Sequence, residues 1–515
     1  MIFKVTDDLQ YIRLMDEISD AETFKLKLHF HRKCKNFYFD PAYKLGWDGC
    51  DDFFNAGYIK IGLWRELRDF MVDNRYPVRI DGLEKLFNLS LNKDEFDEFV
   101  TDLIKGTTIS EPRWYQLQTA YLVLKYRYCM AEIATSGGKT LTSFIVASYL
   151  KHIGKIDKYN KFLMVVPRIP LVQQTYEKFA IEYNNGMVPL NIRCLGGKDK
   201  VKAKDRDRAT ANADVIITTY QSLGHKQLEF YAPIRHFHVD EAHTATNDTI
   251  KTAINSCSML EHRFGMSGTL EIEQTLADYF RMEEYLGPNV LTVTAGDLID
   301  SAYSPDVNIR AIRLLYDESD PAIAEYLNFK DNGRDQFPTG DAFAGAVYRH
   351  ERRVIRFSEA RLRFVVNICS KINNNVLLLF NDVKDQYGKI VYDRLIESGK
   401  KAYYIDGHTD EALREQYTHD IENDASALLV ASYGCFSTGL DLKRIFNIIF
   451  LESYKSPILI RQSIGRGMRN YKGKASVNII DLIDDFGKYS NKHYTERKTI
   501  YATQRFGVSE YEMKI

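Results

Sequence analysis

One pattern governs most of this chain. Short apolar runs rich in β-branched and aromatic residues alternate with polar motifs and stretches of helical period. The runs fall at 162–166, 215–219, 237–239, 376–380, 402–405, 428–431, 448–451 and 477–482. Apolar along their whole length, such runs predict strands buried on both faces, as in a parallel sheet. Helical stretches, for example 171–183 and 358–373, lie between them. Alternation over this length predicts a doubly wound α/β architecture, whose ligands bind at the carboxyl ends of the strands. A 515-residue chain exceeds one ordinary domain. Three segments are expected: a small α+β layer over 1–106, a first sheet domain over 107–287 and a second over 288–490, followed by a tail, 491–515. The stretch 317–353 lacks clear periodicity and reads as an insertion or a helical arm.

Hydrophobic residues at 45% and charged residues at 27% exclude a disordered or fibrous chain. The seven cysteines, at 34, 50, 129, 194, 257, 369 and 435, form no CxxC pair and no zinc-spaced cluster. They read as free thiols in a reducing cytoplasm. The amino terminus shows no apolar signal core, and no run reaches the length of a membrane span. The net charge is −1, so a polyanionic partner would have to be met by locally sorted charge.

Three strings carry chemistry. Ile133-Ala134-Thr135-Ser136-Gly137-Gly138-Lys139-Thr140 precedes a helix over 141–150. Glycines let successive amides approach phosphates in front of a helix amino terminus. Ser136, Gly137 and Gly138 are expected to cradle phosphates, Lys139 to reach the β- and γ-phosphates, and Thr140 to help hold Mg²⁺. Ile133 stands where the usual pattern has its first glycine. A glycine turn starting a helix is the bland alternative, and GK[ST] alone arises by chance in roughly a quarter of chains this long. Second, Phe237-His238-Val239-Asp240-Glu241-Ala242-His243 ends an apolar run in two carboxylates. Asp240 suits the metal and Glu241 the activation of water, with His243 coupling the site onward. Adjacent carboxylates repel unless a cation sits beside them. Third, Arg461-Gln462-Ser463-Ile464-Gly465-Arg466-Gly467-Met468-Arg469 places Arg466 and Arg469 three apart, on one face if helical. Guanidinium groups suit charge developing on a γ-phosphate.

Taken together, in this order, the strings resemble the superfamily 2 helicases of the DEAH/DExH type over about residues 108–490. Gln116, in Arg113-Trp114-Tyr115-Gln116, then corresponds to an adenine-reading glutamine. Val166-Pro167-Arg168, Thr218-Thr219-Tyr220-Gln221, Met266-Ser267-Gly268-Thr269 and Ser437-Thr438-Gly439-Leu440-Asp441 correspond to further motifs of that family. The resemblance implies two tandem RecA-like domains that use ATP and Mg²⁺ between them. Gly439 and Asp441 would join the ATP site; Ser267, Thr269 and Gln462 would couple it. Arg168, Thr219, Gln221, Ser432 and Ser437 would touch a nucleic-acid backbone, where hydroxyls and amides can grip phosphate without reading sequence. The stretch 198–208 reads equally as local positive potential or as a solvated loop. The strings at 111–116, 430–439 and 481–485 are similar to a phage branch of the superfamily. That branch implies DNA, branched or at single-/double-strand junctions, as substrate, with recombination or replication proteins as partners.

Overall fold

A computed structural model describes the chain except residues 106, 108, 110, 185–186, 197–204, 271–275, 382 and 437–441. Two compact units emerge: Met1–Ile133 with Gly137–Val293, and Ala134–Ser136 with Thr294–Ile515.

The first unit holds a seven-stranded, all-parallel sheet. Its strands run in the order Ile192–Leu195, Val215–Thr219, Lys161–Val166, Ile234–Asp240, His262–Ser267, Tyr128–Ile133, Asn289–Val293. The middle strands are buried along nearly their whole length. That is why they read as continuous apolar runs rather than as alternating ones. The expected helix over 141–150 is Lys139–His152. The stretch expected as one helix over 171–183 is an α-helix, Ile169–Glu177, that continues as a π-turn over Lys178–Tyr183.

Ahead of this sheet lies the expected α+β layer, a five-stranded mixed sheet with a separate antiparallel pair, His31–Lys33 and Cys50–Asp52. It is not a free-standing body. Phe30 and Phe53 pack their rings against Phe280 of the helix Ala277–Leu286. One hydrophobic core runs from Phe3 to Leu286 without a break. Gly62 meets the same helix so closely that a Cβ there would lie 2.0 Å from the Glu283 carbonyl oxygen.

The second unit holds another seven-stranded parallel sheet, ordered Ala402–Ile405, Leu428–Ser432, Val376–Phe380, Asn447–Phe450, Ser476–Asp484, Asp306–Leu315, Gly507–Lys514. Residues 491–515, expected as a tail, continue the helix Lys488–Thr503 and supply the edge strand Gly507–Lys514. That strand is exposed almost throughout and alternates charge with apolar residues, so its apolar signal is weak. The stretch 317–353 forms the helices Pro321–Asn332 and Gly340–Phe357, packed through Ile323, Tyr326, Val347 and Val354. Both units are thus α/β, with tandem doubly wound parallel sheets.

Candidate functional site

The strand Tyr128–Ile133 leads into the glycine loop. Ile133 is still in the sheet, buried and paired with Val293, so the position needs no glycine; the turn begins after it. Ser136 and Gly138 then take left-handed backbone angles (φ 69° and 80°), and Gly138 caps the helix Lys139–His152. Left-handed residues in such a loop turn amides inward, and the helix amino terminus behind them favours an anion. The loop is braced from below. The Tyr115 hydroxyl (2.8 Å) and the Gln116 Nε2 (2.9 Å) both donate to the Gly137 carbonyl. The Gln116 Oε1 accepts from the Arg113 amide at 2.9 Å. Gly138 is at φ 80°, where a side chain is strained, and a Cβ there would also lie 2.2 Å from the Gln116 Nε2 and displace that amide from the brace. Gln116, expected at an adenine edge, is buried with its amide engaged in this brace. The Lys139 Nζ lies 3.5 Å from the Ile133 carbonyl, and Thr140 follows it, half-buried.

Two strands away, Ile234–Asp240 ends in Asp240, and Glu241 turns the chain at φ 60°, ψ 67°. Left-handed backbone costs a non-glycine residue about 1–2 kcal/mol. The surroundings enforce it. The Thr244 amide and hydroxyl both donate to the Glu241 carbonyl, at 2.8 and 2.9 Å. Ala242 packs over Gly265, where a Cβ would lie 2.7 Å from the Ala242 Cβ. Strain maintained at a carboxylate is a mark of a working site. The Ser267 Oγ lies 2.9 Å from the Glu241 Oε2 and 3.1 Å from the His243 Nδ1, and accepts from the Thr269 amide at 3.1 Å. Glu241, His243, Ser267 and the Thr269 backbone therefore form one network. Burial holds His243 below its ordinary value, which favours the neutral ring.

Asp240 is the last residue of its strand. Among the described residues it has no ion pair. Burial first, then the neighbouring Glu241, push it up to about 7, while Lys139 pulls the other way. A carboxylate so destabilised beside a second one is suited to a divalent cation. Asp240 and the half-buried Thr140 each offer an oxygen donor of the kind Mg²⁺ takes.

In the second unit, the helix Pro457–Gly467 carries Arg461, Gln462 and Arg466. The expectation that Arg466 and Arg469 share a helical face is corrected: the helix is capped at Met468, and Arg469 lies beyond it. Glycine at 467 and the capping turn end the helical path. Sequence reasoning also missed Lys474. Its ammonium is buried and donates to the carbonyls of Gly467, Arg469 (3.2 Å) and Lys443 (3.2 Å), closing the end of this helix. Burial pushes it down to about 8.

The expected nucleic-acid contacts divide. Arg168 and Gln221 are exposed just past strand ends. Thr219 and Ser432 do not present their hydroxyls. Thr219 is 1% exposed and its Oγ1 accepts from the Ser222 amide; Ser432 is 3% exposed and its Oγ accepts from the Cys435 amide. Both cap the short helix that follows a parallel strand. Ser437, Gly439 and Asp441 lie outside the described residues, as does most of 198–208.

Two family models match the chain: "Type III restriction enzyme, res subunit" over residues 109–272 and "Helicase conserved C-terminal domain" over 360–471. The ATP-dependent DNA helicase uvsW of Enterobacteria phage T4 is 26% identical over 418 residues, 80% of this chain and 76% of its own. A probable helicase D10 of Escherichia phage T5 is 26% identical over 248 residues, 48% of each chain. Among solved structures, the Type ISP restriction-modification enzyme LlaBIII bound to DNA matches 95% of this chain and 39% of its own, with TM-score 0.56 at 15% identity. S. cerevisiae Dbp5 bound to RNA and ADP BeF3 matches 81% of this chain and 95% of its own, with TM-score 0.51 at 13% identity. At such identities these two likenesses are of fold. The glycine loop, the Asp240–Glu241 pair and the two family models matching parts of both sheet domains converge: the chain is an ATP-hydrolysing helicase, similar to the superfamily 2 helicases of the DEAH/DExH type.

Proposed function

We propose that the protein is an ATP-dependent DNA helicase or translocase that remodels branched DNA (forks, Holliday junctions and R-loops) in recombination, repair and replication. The observation that carries this reading is the 418-residue similarity to a phage DNA helicase, which extends well beyond the two motif-bearing segments. Lys139 and the loop amides would bind the β- and γ-phosphates, with Thr140 and Asp240 holding Mg²⁺. The ion would neutralise phosphate charge. Glu241, fixed by Ser267, would take the proton of the attacking water. Arg466 and Arg469 would meet charge developing on the γ-phosphate. Arg168 and Gln221 remain side-chain candidates for the DNA backbone, and the 1–106 layer for recognition of the DNA structure.

A second reading, the motor subunit of a restriction-type complex, is favoured by the family model over 109–272. The test is ATP hydrolysis by the purified chain alone and with single-stranded DNA, forked DNA, a four-way junction, an R-loop and matched RNA. Strongest stimulation by branched DNA is expected. Stimulation by RNA alone would move the substrate to RNA. Hydrolysis that appears only with added partner chains would favour the restriction-type motor.

A further inference from the structure

The antiparallel pair His31–Lys33 and Cys50–Asp52 sets His31 opposite Asp52 and Lys33 opposite Cys50. Alternation along strands then puts His31, Cys50 and Asp52 on one face. Asp48 reaches the same place from the turn before the second strand. The His31 Nδ1 lies 2.7 Å from the Asp52 Oδ1, and its Nε2 lies 2.9 Å from the Asp48 Oδ2. The other Asp48 oxygen, Oδ1, is fixed by the Cys50 amide at 3.0 Å. Ligand atoms of His31, Asp48 and Cys50 all lie within 4.8 Å of one another, the one such group among the described residues.

With a ring N–H turned to Asp52, the His31 Nε2 lone pair faces a carboxylate oxygen. A proton or a cation must lie between them. A ring protonated on both nitrogens satisfies the two carboxylates, which hold His31 above its ordinary value; what the Cys50 thiol adds, within 4.8 Å of both other groups, is the third donor that a cation would use in the proton's place. We propose that His31, Asp48 and Cys50 bind a divalent metal ion of zinc type, with Asp52 orienting the imidazole from behind. Nitrogen, oxygen and sulfur donors together suit Zn²⁺, and a carboxylate on the far ring nitrogen is the usual support of a metal-bound histidine. Half-exposed His31 and exposed Asp48 leave the fourth position to solvent.

The ion would pin both ends of the 34–49 loop, which carries the exposed Tyr38, Phe39 and Leu45. Asp51, between Cys50 and Asp52, accepts from the Arg281 Nε at 2.7 Å, so the pair is also bonded to the helix Ala277–Leu286. The 31…48…50 spacing matches no zinc motif, and only the strand pairing brings the three together.

The test uses the full chain, stripped with chelator and titrated with Co²⁺. A thiolate-to-cobalt charge-transfer band is expected, displaced by one Zn²⁺ per chain. Cys50→Ala should abolish it although six other cysteines remain. Asp52→Asn, which leaves all three ligands, should weaken Co²⁺ affinity about 10- to 100-fold. Basal ATP hydrolysis should be unchanged in both. Absence of the band in a folded wild-type chain, or its survival in Cys50→Ala, overturns the proposal. Circular dichroism of each variant separates loss of metal from loss of fold, and Asp52→Asn keeps the test open if Cys50→Ala does not fold.

Discussion

Counting strands along the chain within each sheet, both sheets run in the order 3-4-2-5-6-1-7. They differ in what stands at matching places. After its first strand the first sheet has the glycine loop; the second has the helices Pro321–Asn332 and Gly340–Phe357. The fifth strand of the first sheet ends in Asp240, without an ion pair among the described residues. The second has Glu452, buried, accepting from the Arg356 Nε at 2.7 Å and the Asn381 amide at 2.5 Å. The sixth strand of the second sheet adds Asp481, bidentate with Arg497, and Asp484 with Arg361. The first sheet buries neutral histidines instead: His236 and His262, with Nδ1 atoms 3.1 Å apart, and His238, stacked on Phe264. One winding thus carries two kinds of carboxylate: those of the second sheet are paired with arginine, while Asp240 has no ion pair among the described residues.

The comparison can be broken most severely at the first sheet's edge. Lys139→Ala is expected to abolish measurable ATP hydrolysis. Glu241→Gln should retain ATP binding and lose about 10²- to 10⁴-fold in turnover, read by equilibrium nucleotide binding beside steady-state hydrolysis. Near-normal turnover in Glu241→Gln would remove its assignment as base. Arg466→Ala should lower turnover about 10³-fold, and an unchanged rate would leave the second sheet without a catalytic residue at that position.

Stability separates the sheets next. All three tryptophans, Trp47, Trp64 and Trp114, lie in the first unit, so their fluorescence reports that unit, whereas circular dichroism reports both. Burial pulls the Arg361 guanidinium down, but Asp484 and then Tyr387 and Tyr316 outweigh it and hold the cation charged. Arg361→Met leaves Asp484 buried without its partner and should cost about 3–5 kcal/mol. The urea transition seen by dichroism should move and the tryptophan transition should stay; a tryptophan shift of equal size would refute the separation.

Acid should act in the opposite sense. Burial pushes His238 down to about 3, and burial likewise holds His236 and His262 below their ordinary value. Below about pH 6.5 the unfolded chain takes up protons that these folded histidines refuse. Stability of the first unit is therefore full above that pH and falls as the pH drops toward 4. His238→Phe should flatten the fall of the tryptophan-detected midpoint between pH 7 and 5; an unaltered slope would exonerate His238. The smallest effect expected is at the caps. Thr219→Ala and Ser432→Ala should each cost about 1 kcal/mol and leave DNA affinity, measured by anisotropy, nearly unchanged.

The strings of the candidate site are legible because each is local. A glycine loop before a helix, and two carboxylates ending an apolar run, need only adjacent residues, so 133–140 and 237–243 could be read directly. Arg469 was misplaced because helical period was carried past Gly467, where the helix ends. Thr219 and Ser432 were placed on a nucleic-acid backbone through the family resemblance; that their hydroxyls are buried and cap the following turn is visible only in the structure. Gly265 gave no motif, since its role is the space it leaves for Ala242. The edge strand Gly507–Lys514 was missed because exposure removes the apolar run that reveals central strands.

The sequence by itself determined the two parallel sheets, the glycine loop and the carboxylate pair, because these rest on periodicity and on residues a few positions apart. The tertiary structure decided which polar groups are neutralised and which are not: Asp240 against Glu452, Gln116 as a brace, Lys474 closing the arginine helix, and His31 brought to Asp48 and Cys50. Those outcomes depend largely on partners outside the local stretch of chain, and burial, which makes an unpaired charge costly, is a property of the packed chain.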